Sequence, residues 1–261
     1  MTHPLEPLSA MEIEDAVAIF RQAHADEHAV FCSSGLEEPT KSLVKAGAPT
    51  DRVVRLLGTD SVSDGGFEAL VNLTKQQIDR LDRLPSAAQA PYGYKDLGLA
   101  IHLTKNHAQW LDAVKARGIR CDTDEDLARI QIDPWPAGGY PVDQLPKGHR
   151  AVRCIAFLRE DATDNGYARP IHGLICHVDV TDQKVIFVED SGVIPMPPNP
   201  GRFDSAHQER TRTDLKDLEI VQRDGPSFEV DGYQVKWQGY EFSVSIHPVH
   251  GLVLHLSLIH I

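Results

Sequence analysis

Residues 225–255 constrain this chain more than any other stretch. A strand around Phe228 precedes a turn at Asp231–Gly232, and alternating polar and apolar positions then continue through Trp237 to the Gly251–His255 stretch. A period of two punctuated by Asp-Gly dictates antiparallel strands and excludes a helix. These strands should open a large sheet, yet only an apolar run, Leu256–Ile261, follows them. Strands without partners expose unpaired backbone groups. Residues from about 220 onward are therefore expected to pack poorly or to form a stray hairpin.

Upstream, two units repeat one order, a helix and then strands. Ser9-Ala10-Met11-Glu12 is a capping box: the Ser hydroxyl accepts the Glu12 N–H, and the Glu side chain reaches back. Ile13, Ala16, Val17 and Phe20 follow at i, i+3, i+4 and i+7, one apolar stripe of a helix ending near His24. Strands are expected at Ala29–Ser33, Asp51–Gly58 and Gly66–Leu73, then a linker at Leu84–Pro91. In the second unit Leu97, Ala100, Ile101, Trp110, Leu111 and Val114 face a core from helical segments broken near Thr104–Asn106. Gly118 ends the second segment as its C′ residue. Strands follow at Leu127–Ile132, Ala151–Arg159, Ile171–Val180 and Lys184–Asp190, and 193–217 reads as a connector. The fold class is α+β, with domains over 1–90 and 91–200, connector and leading strands over 201–255, and a tail over 256–261.

A net charge of −12 argues against a nucleic-acid backbone or an anionic membrane as partner. No apolar window approaches a membrane span, and the first residues carry neither a basic nor an apolar signal region. A cytoplasmic location is the resulting expectation. Cys32, Cys121, Cys154 and Cys176 lie far apart, with no metal or redox spacing. Cys154 and Cys176 sit in apolar strands and read as buried free thiols.

The Gly225-Pro-Ser-Phe228 stretch, the strand holding Trp237, and Gly251-Leu-Val-Leu-His255 together resemble the start of the catalytic domain of copper amine oxidases, the quinone-containing primary-amine oxidases. Other pieces in matching order resemble the same family: His3-Pro-Leu-Glu-Pro-Leu-Ser9 before the first helix, Asp133-Pro-Trp-Pro-Ala-Gly138, Tyr167-Ala-Arg-Pro-Ile-His-Gly-Leu174, and Val178 to Gly192 followed by Pro195-Met-Pro197. The resemblance implies two tandem cystatin-like domains, the second and third N-terminal domains of such enzymes, followed by truncated leading strands of the catalytic β-sandwich. It implies oxidative deamination of a primary amine by dioxygen in a homodimer that carries copper and topaquinone. The likeness stops at Leu256. Leu256-Ser-Leu-Ile-His-Ile261 is a translation of a transposase adaptor and is expected to be foreign to the protein.

The family's chemistry requires three copper-binding histidines, two of them as His-x-His, a Tyr within Thr-x-x-Asn-Tyr-Asp/Glu as quinone precursor, and an Asp base. The chain has thirteen histidines but no His-x-His, and it has no Asn-Tyr dipeptide. No catalytic or metal-binding residue is therefore assigned, and the chain alone is expected to be inactive and to bind neither copper nor quinone. Two substrate-channel candidates are carried over by resemblance: Tyr140, near the channel mouth, and Trp135. The residues themselves give a different reading. Asp133-Pro-Trp-Pro136 is a rigid turn with Trp135 as a core anchor, and Tyr140 is a loop aromatic packed on it. Arg153, Arg159 and Arg169 read as surface ion-pair residues. The alternative to an oxidase fragment is a standalone, non-catalytic tandem α+β binding module.

Overall fold

The computed structural model describes residues 3–26, 28–61, 65–85, 88–138, 145–146, 148–161, 163–208, 212–247 and 249–259. The chain divides into two compact units. One comprises Met1–Pro91 with Leu218–Ile261, and the other Tyr92–Asp217.

The first unit opens with α1 (Ala10–Ala23), started by the capping box at Ser9 and Glu12. Glu12 also receives the Arg52 guanidinium at 2.6 Å, which ties the helix start to the first residues of the sheet. That sheet is an antiparallel meander of β1 (Val30–Glu37), β2 (Val53–Thr59), β3 (Phe67–Asn72) and β4 (Gln77–Arg83) in the order β1-β2-β3-β4. A short helix, α2 (Lys41–Lys45), lies between β1 and β2. Ala16, Ile19 and Phe20 of α1 bury Val54, Leu56, Phe67, Ala69 and Val71, and the rings of Phe20 and Phe67 stack at 4.6 Å. The opposite face is solvated and charged. Arg55 bridges Glu37 and Glu68, and Glu68 also receives Arg80.

The sequence reading missed β4. A bulge between Leu70 and Val71 pairs Leu70 with Arg80 and Val71 with Ile78. The extra residue leaves the two core-facing apolar groups of β4, Ile78 and Leu81, three positions apart, which hides the period of two.

The second unit has α3 (Tyr94–Lys105), α4 (Ala108–Ala116) and α5 (Asp124–Ala128) over a sheet of β5 (Ile130–Pro136), β6 (Ala151–Leu158), β7 (Pro170–Asp179) and β8 (Lys184–Asp190). The order is β5-β6-β7-β8, again antiparallel. Fully buried Trp110 and Val114 on α4 meet Ile130, Val152, Cys154, Leu174, Cys176 and Val178 on the inner face of this sheet. Gly118 ends α4 at φ +72°, the left-handed turn that glycine adopts without a Cβ penalty. Leu127, expected to open a strand, instead belongs to α5, whose first turn is capped by Thr123 and carries Asp124, Glu125 and Asp126.

Residues from 220 onward do not form a stray hairpin. They build a third antiparallel sheet of β9 (Phe228–Asp231), β10 (Gln234–Trp237), β11 (Tyr240–His247) and β12 (Gly251–Ile259) in the order β12-β11-β10-β9. Tight turns at Asp231–Gly232 and Gln238 let each strand pair with its sequence neighbour, so the sheet forms from local contacts alone. Val230, Ile246, Leu252 and Leu254 of this sheet remain exposed. Among the described residues, no helix is long and apolar enough to cross a membrane.

Candidate functional site

The outer face of the second sheet gathers the polar and aromatic side chains most suited to recognition. Register places Trp135 opposite Arg153, Arg153 opposite His177, and His177 opposite Phe187, one row across all four strands. The adjacent row runs Asp133, Ile155, Ile175, Glu189. Because side chains alternate along a strand, both rows project away from the core of Cys154, Cys176 and Val178.

His177 is fully buried although it lies on this outer face. Its ring stacks on Phe187 at 4.1 Å between centroids, and Nε2 lies 3.2 Å from Glu189 Oε2. Burial pushes the imidazole pKa down; the Glu189 hydrogen bond opposes that shift, and the Arg153 cation adds to it. At the other end of the face, Tyr167 packs edge-on against Phe157 at 4.9 Å. A hydrogen bond with Asp133 holds the Tyr167 hydroxyl above its ordinary pKa.

Trp135 is not a core anchor. It is 59% exposed, on a strand where a rigid turn was expected. β5 is an edge strand, so Pro134 and Pro136 can sit in it where a central strand would reject them. Tyr140 lies outside the described residues. Arg159 donates to the carbonyl of Ala128. The row formed by Trp135, Arg153, His177 and Phe187 was not anticipated. A bulge between His177 and Val178 shifts the register, so simple hairpin symmetry about the turn at 180–183 points to Ile186, not Phe187, as the partner of His177.

His172 is exposed and His177 buried, while His250 stacks on His247 in the turn before β12 and His255 is buried within that strand. Among the described residues, one group offers three ligand atoms close together: His149, Asp179 and Asp182. His149 Nδ1 lies 2.8 Å from Asp179 and 3.8 Å from Asp182. Asp179 also accepts the backbone N–H groups of Thr181 and Asp182, which makes it the brace of the β7–β8 turn. A copper centre of the kind the resemblance implies needs three imidazoles, and this group has one, so these residues do not fit it.

The family model for the N3 domain of copper amine oxidases matches residues 95–205. The primary amine oxidase of Arthrobacter sp. (strain P1) is 34% identical over 256 residues, covering 98% of this chain and 38% of that protein. The chain matches the N-terminal part of the copper amine oxidases. The histamine oxidase of Arthrobacter globiformis is 33% identical over 259 residues, covering 97% of this chain and 37% of that enzyme. The chain thus spans under two fifths of the length of these curated amine oxidases. The crystal structure of a copper-containing benzylamine oxidase from Hansenula polymorpha shares the fold. It has a TM-score of 0.78 at 19% identity, covering 99% of this chain and 42% of that one.

Proposed function

We propose that this chain is the N-terminal portion of a copper- and topaquinone-dependent primary-amine oxidase, which converts R-CH2-NH2 and dioxygen to aldehyde, ammonia and hydrogen peroxide. The carrying observation is collinearity. Nearly the whole chain aligns with the N-terminal part of amine oxidases, a little under two fifths of their length. Residues 1–90 and 91–200 are the second and third N-terminal domains, 201–255 lead into the catalytic sandwich, and 256–261 are foreign sequence. The chain has no His-x-His and no Asn-Tyr dipeptide, so in this reading its part is to frame the active site and not to perform the oxidation.

Trp135 and Tyr140 are assigned to the substrate channel. An exposed indole on an edge strand, with Arg153 opposite it on β6, offers an apolar wall with a hydrogen-bond donor next to it, suited to the side chain of an amine. The complete enzyme is a homodimer in this reading.

Reading the coding sequence beyond codon 255 tests the proposal. Thr-x-x-Asn-Tyr-Asp/Glu followed by His-x-His in the same frame is the expected result, and a frame that closes without either motif sinks it. One observation favours the second reading, a free-standing binding module: the third sheet already provides partners for all four of its strands. That reading makes Val230, Ile246, Leu252 and Leu254 the binding face.

A further inference from the structure

In the first unit, residues of β1 and of the β11–β12 hairpin line a half-open cavity of about 250 Å3. Leu5, Leu8, Ile13, Leu36 and Ile246 give it apolar walls, and Ser245, His255 and Glu38 are among its polar lining. Ser245 Oγ lies 2.6 Å from His255 Nε2, and His255 Nδ1 lies 3.2 Å from Glu38 Oε1. The carboxylate can only accept, so Nδ1 donates to Glu38; in the neutral ring this leaves the Nε2 lone pair facing the Ser245 hydroxyl. His255 is 8% exposed, which keeps competing water from its ring.

We propose that Ser245, His255 and Glu38 form a nucleophile, base and orienting acid, and that this site cleaves small esters with apolar acyl groups. The geometry meets the demands of such a relay: a nucleophile–base hydrogen bond, a base–acid hydrogen bond on the other ring nitrogen, and an open space lined by all three. The cavity is smaller than a site for a drug-sized ligand, which limits the acyl group to a few carbons. β1 is an edge strand and its Ser34, Gly35 and Leu36 line the cavity, so the proposal assigns oxyanion donation to an N–H on the open edge of β1. His247 adds a second donor on the same wall. Its Nε2 would meet a Cβ at Gly35 at 3.3 Å, so the absence of a side chain there lets the imidazole lean over β1.

In the acylation step, Ser245 Oγ bonds to the ester carbonyl carbon while the bond from that carbon to the alkoxide breaks. The hydroxyl proton passes to His255 Nε2 and from there to the departing alkoxide, which leaves as alcohol. Water then attacks the acyl-serine by the same route and releases the carboxylic acid, restoring the hydroxyl. No redox change occurs. This site is independent of the oxidase reading, and neither depends on the other being true.

The test treats the folded chain with a fluorophosphonate, maps the adduct by mass spectrometry, and follows p-nitrophenyl butyrate hydrolysis in parallel. The expected result is a single adduct on Ser245. It should be absent from Ser245→Ala, reduced at least about ten-fold in His255→Gln, and reduced several-fold in Glu38→Gln. Absence of an adduct above that of heat-unfolded protein overturns the proposal, as does equal labelling of His255→Gln. Glu38 is partly exposed, so Glu38→Gln should fold even if His255→Gln does not. Equal labelling of wild type and Glu38→Gln therefore also overturns it.

Discussion

His177 lies almost parallel to Phe187, at 14° between ring planes and 4.1 Å between centroids, in a place that water does not reach. Such a site holds the imidazole neutral, with its pKa below the ordinary 6.5. The unfolded chain then binds the proton more tightly than the folded one. The contribution of His177 is therefore present above pH 6.5 and is lost as pH falls through the lowered folded value. Urea midpoints measured from pH 7.5 down to pH 5 should fall for wild type. In His177→Gln the part of that slope due to this group, at most about 1.4 kcal/mol per pH unit, should vanish. Parallel curves for the two proteins would refute the assignment.

Arg52 donates to both oxygens of Glu12 and to the carbonyls of Glu6 and Pro7, so one guanidinium fastens the entering segment, the helix start and β2. Arg52→Leu should destabilise the first unit by about 2–3 kcal/mol, since it strands a half-buried carboxylate and two carbonyls. Ser9→Ala should cost about 1 kcal/mol. The Arg52 hydrogen bond leads the effects that hold the Glu12 pKa below its ordinary 4.5. This contribution is present above pH 4.5 and disappears as pH falls through the lowered value. Chemical denaturation of the two variants checks the order of the two losses.

Cys154 and Cys176 face each other across β6 and β7, and burial pushes their thiols up to about 12 and about 11. Cys121 is also buried and its pKa raised, whereas Cys32 is only half-buried. A thiol reagent at pH 8 should modify Cys32 first in the folded protein and reach the other three only on unfolding. Rapid labelling of Cys154 or Cys176 without denaturant would contradict this packing.

Much of this architecture was legible in the amino acids. The Ser9–Glu12 box gave the start of α1, and the apolar spacing around Trp110 gave the helical layer of the second unit. The Lys184–Asp190 strand was readable to the residue. What could not be read depends on register. β4 was hidden by a bulge that put its apolar residues three apart. Trp135 looked like a core residue because indoles usually bury, yet its odd-numbered neighbours on β5 set it on the outer face. The Ser245–His255–Glu38 relay joins groups on a hairpin and on a distant sheet edge, and no local spacing reports such a meeting. For Tyr140, the sequence reading stands alone.

Leu256 adopts φ +48°, where a branched residue is strained, and it sits in an irregularity at which β12 carries an extra residue against Glu241–Ser243 of β11. Leu256→Gly should therefore be neutral or stabilising by up to about 1 kcal/mol, the reverse of the usual cost of glycine in a strand. A clear drop in thermal midpoint would show that β12 is native through this point.

The isolated chain should take up no stoichiometric Cu2+, since the one compact group of ligating side chains among the described residues has a single imidazole and is committed to a turn. Titration followed by the visible and electron paramagnetic resonance spectra of Cu2+ checks this. A one-to-one complex with several nitrogen ligands would overturn the fragment reading of the chemistry.

The chain leaves the first unit at Pro91 and returns to it at Leu218. During synthesis, everything in Tyr92–Asp217 emerges from the ribosome before the hairpin that bears Ser245 and His255 exists. The second unit, a meander of sequence neighbours, can finish folding while the first is still waiting for its last sheet. The cavity against β1 is thus among the last features to close, and a nascent chain arrested before residue 240 would present β1 with its edge bare.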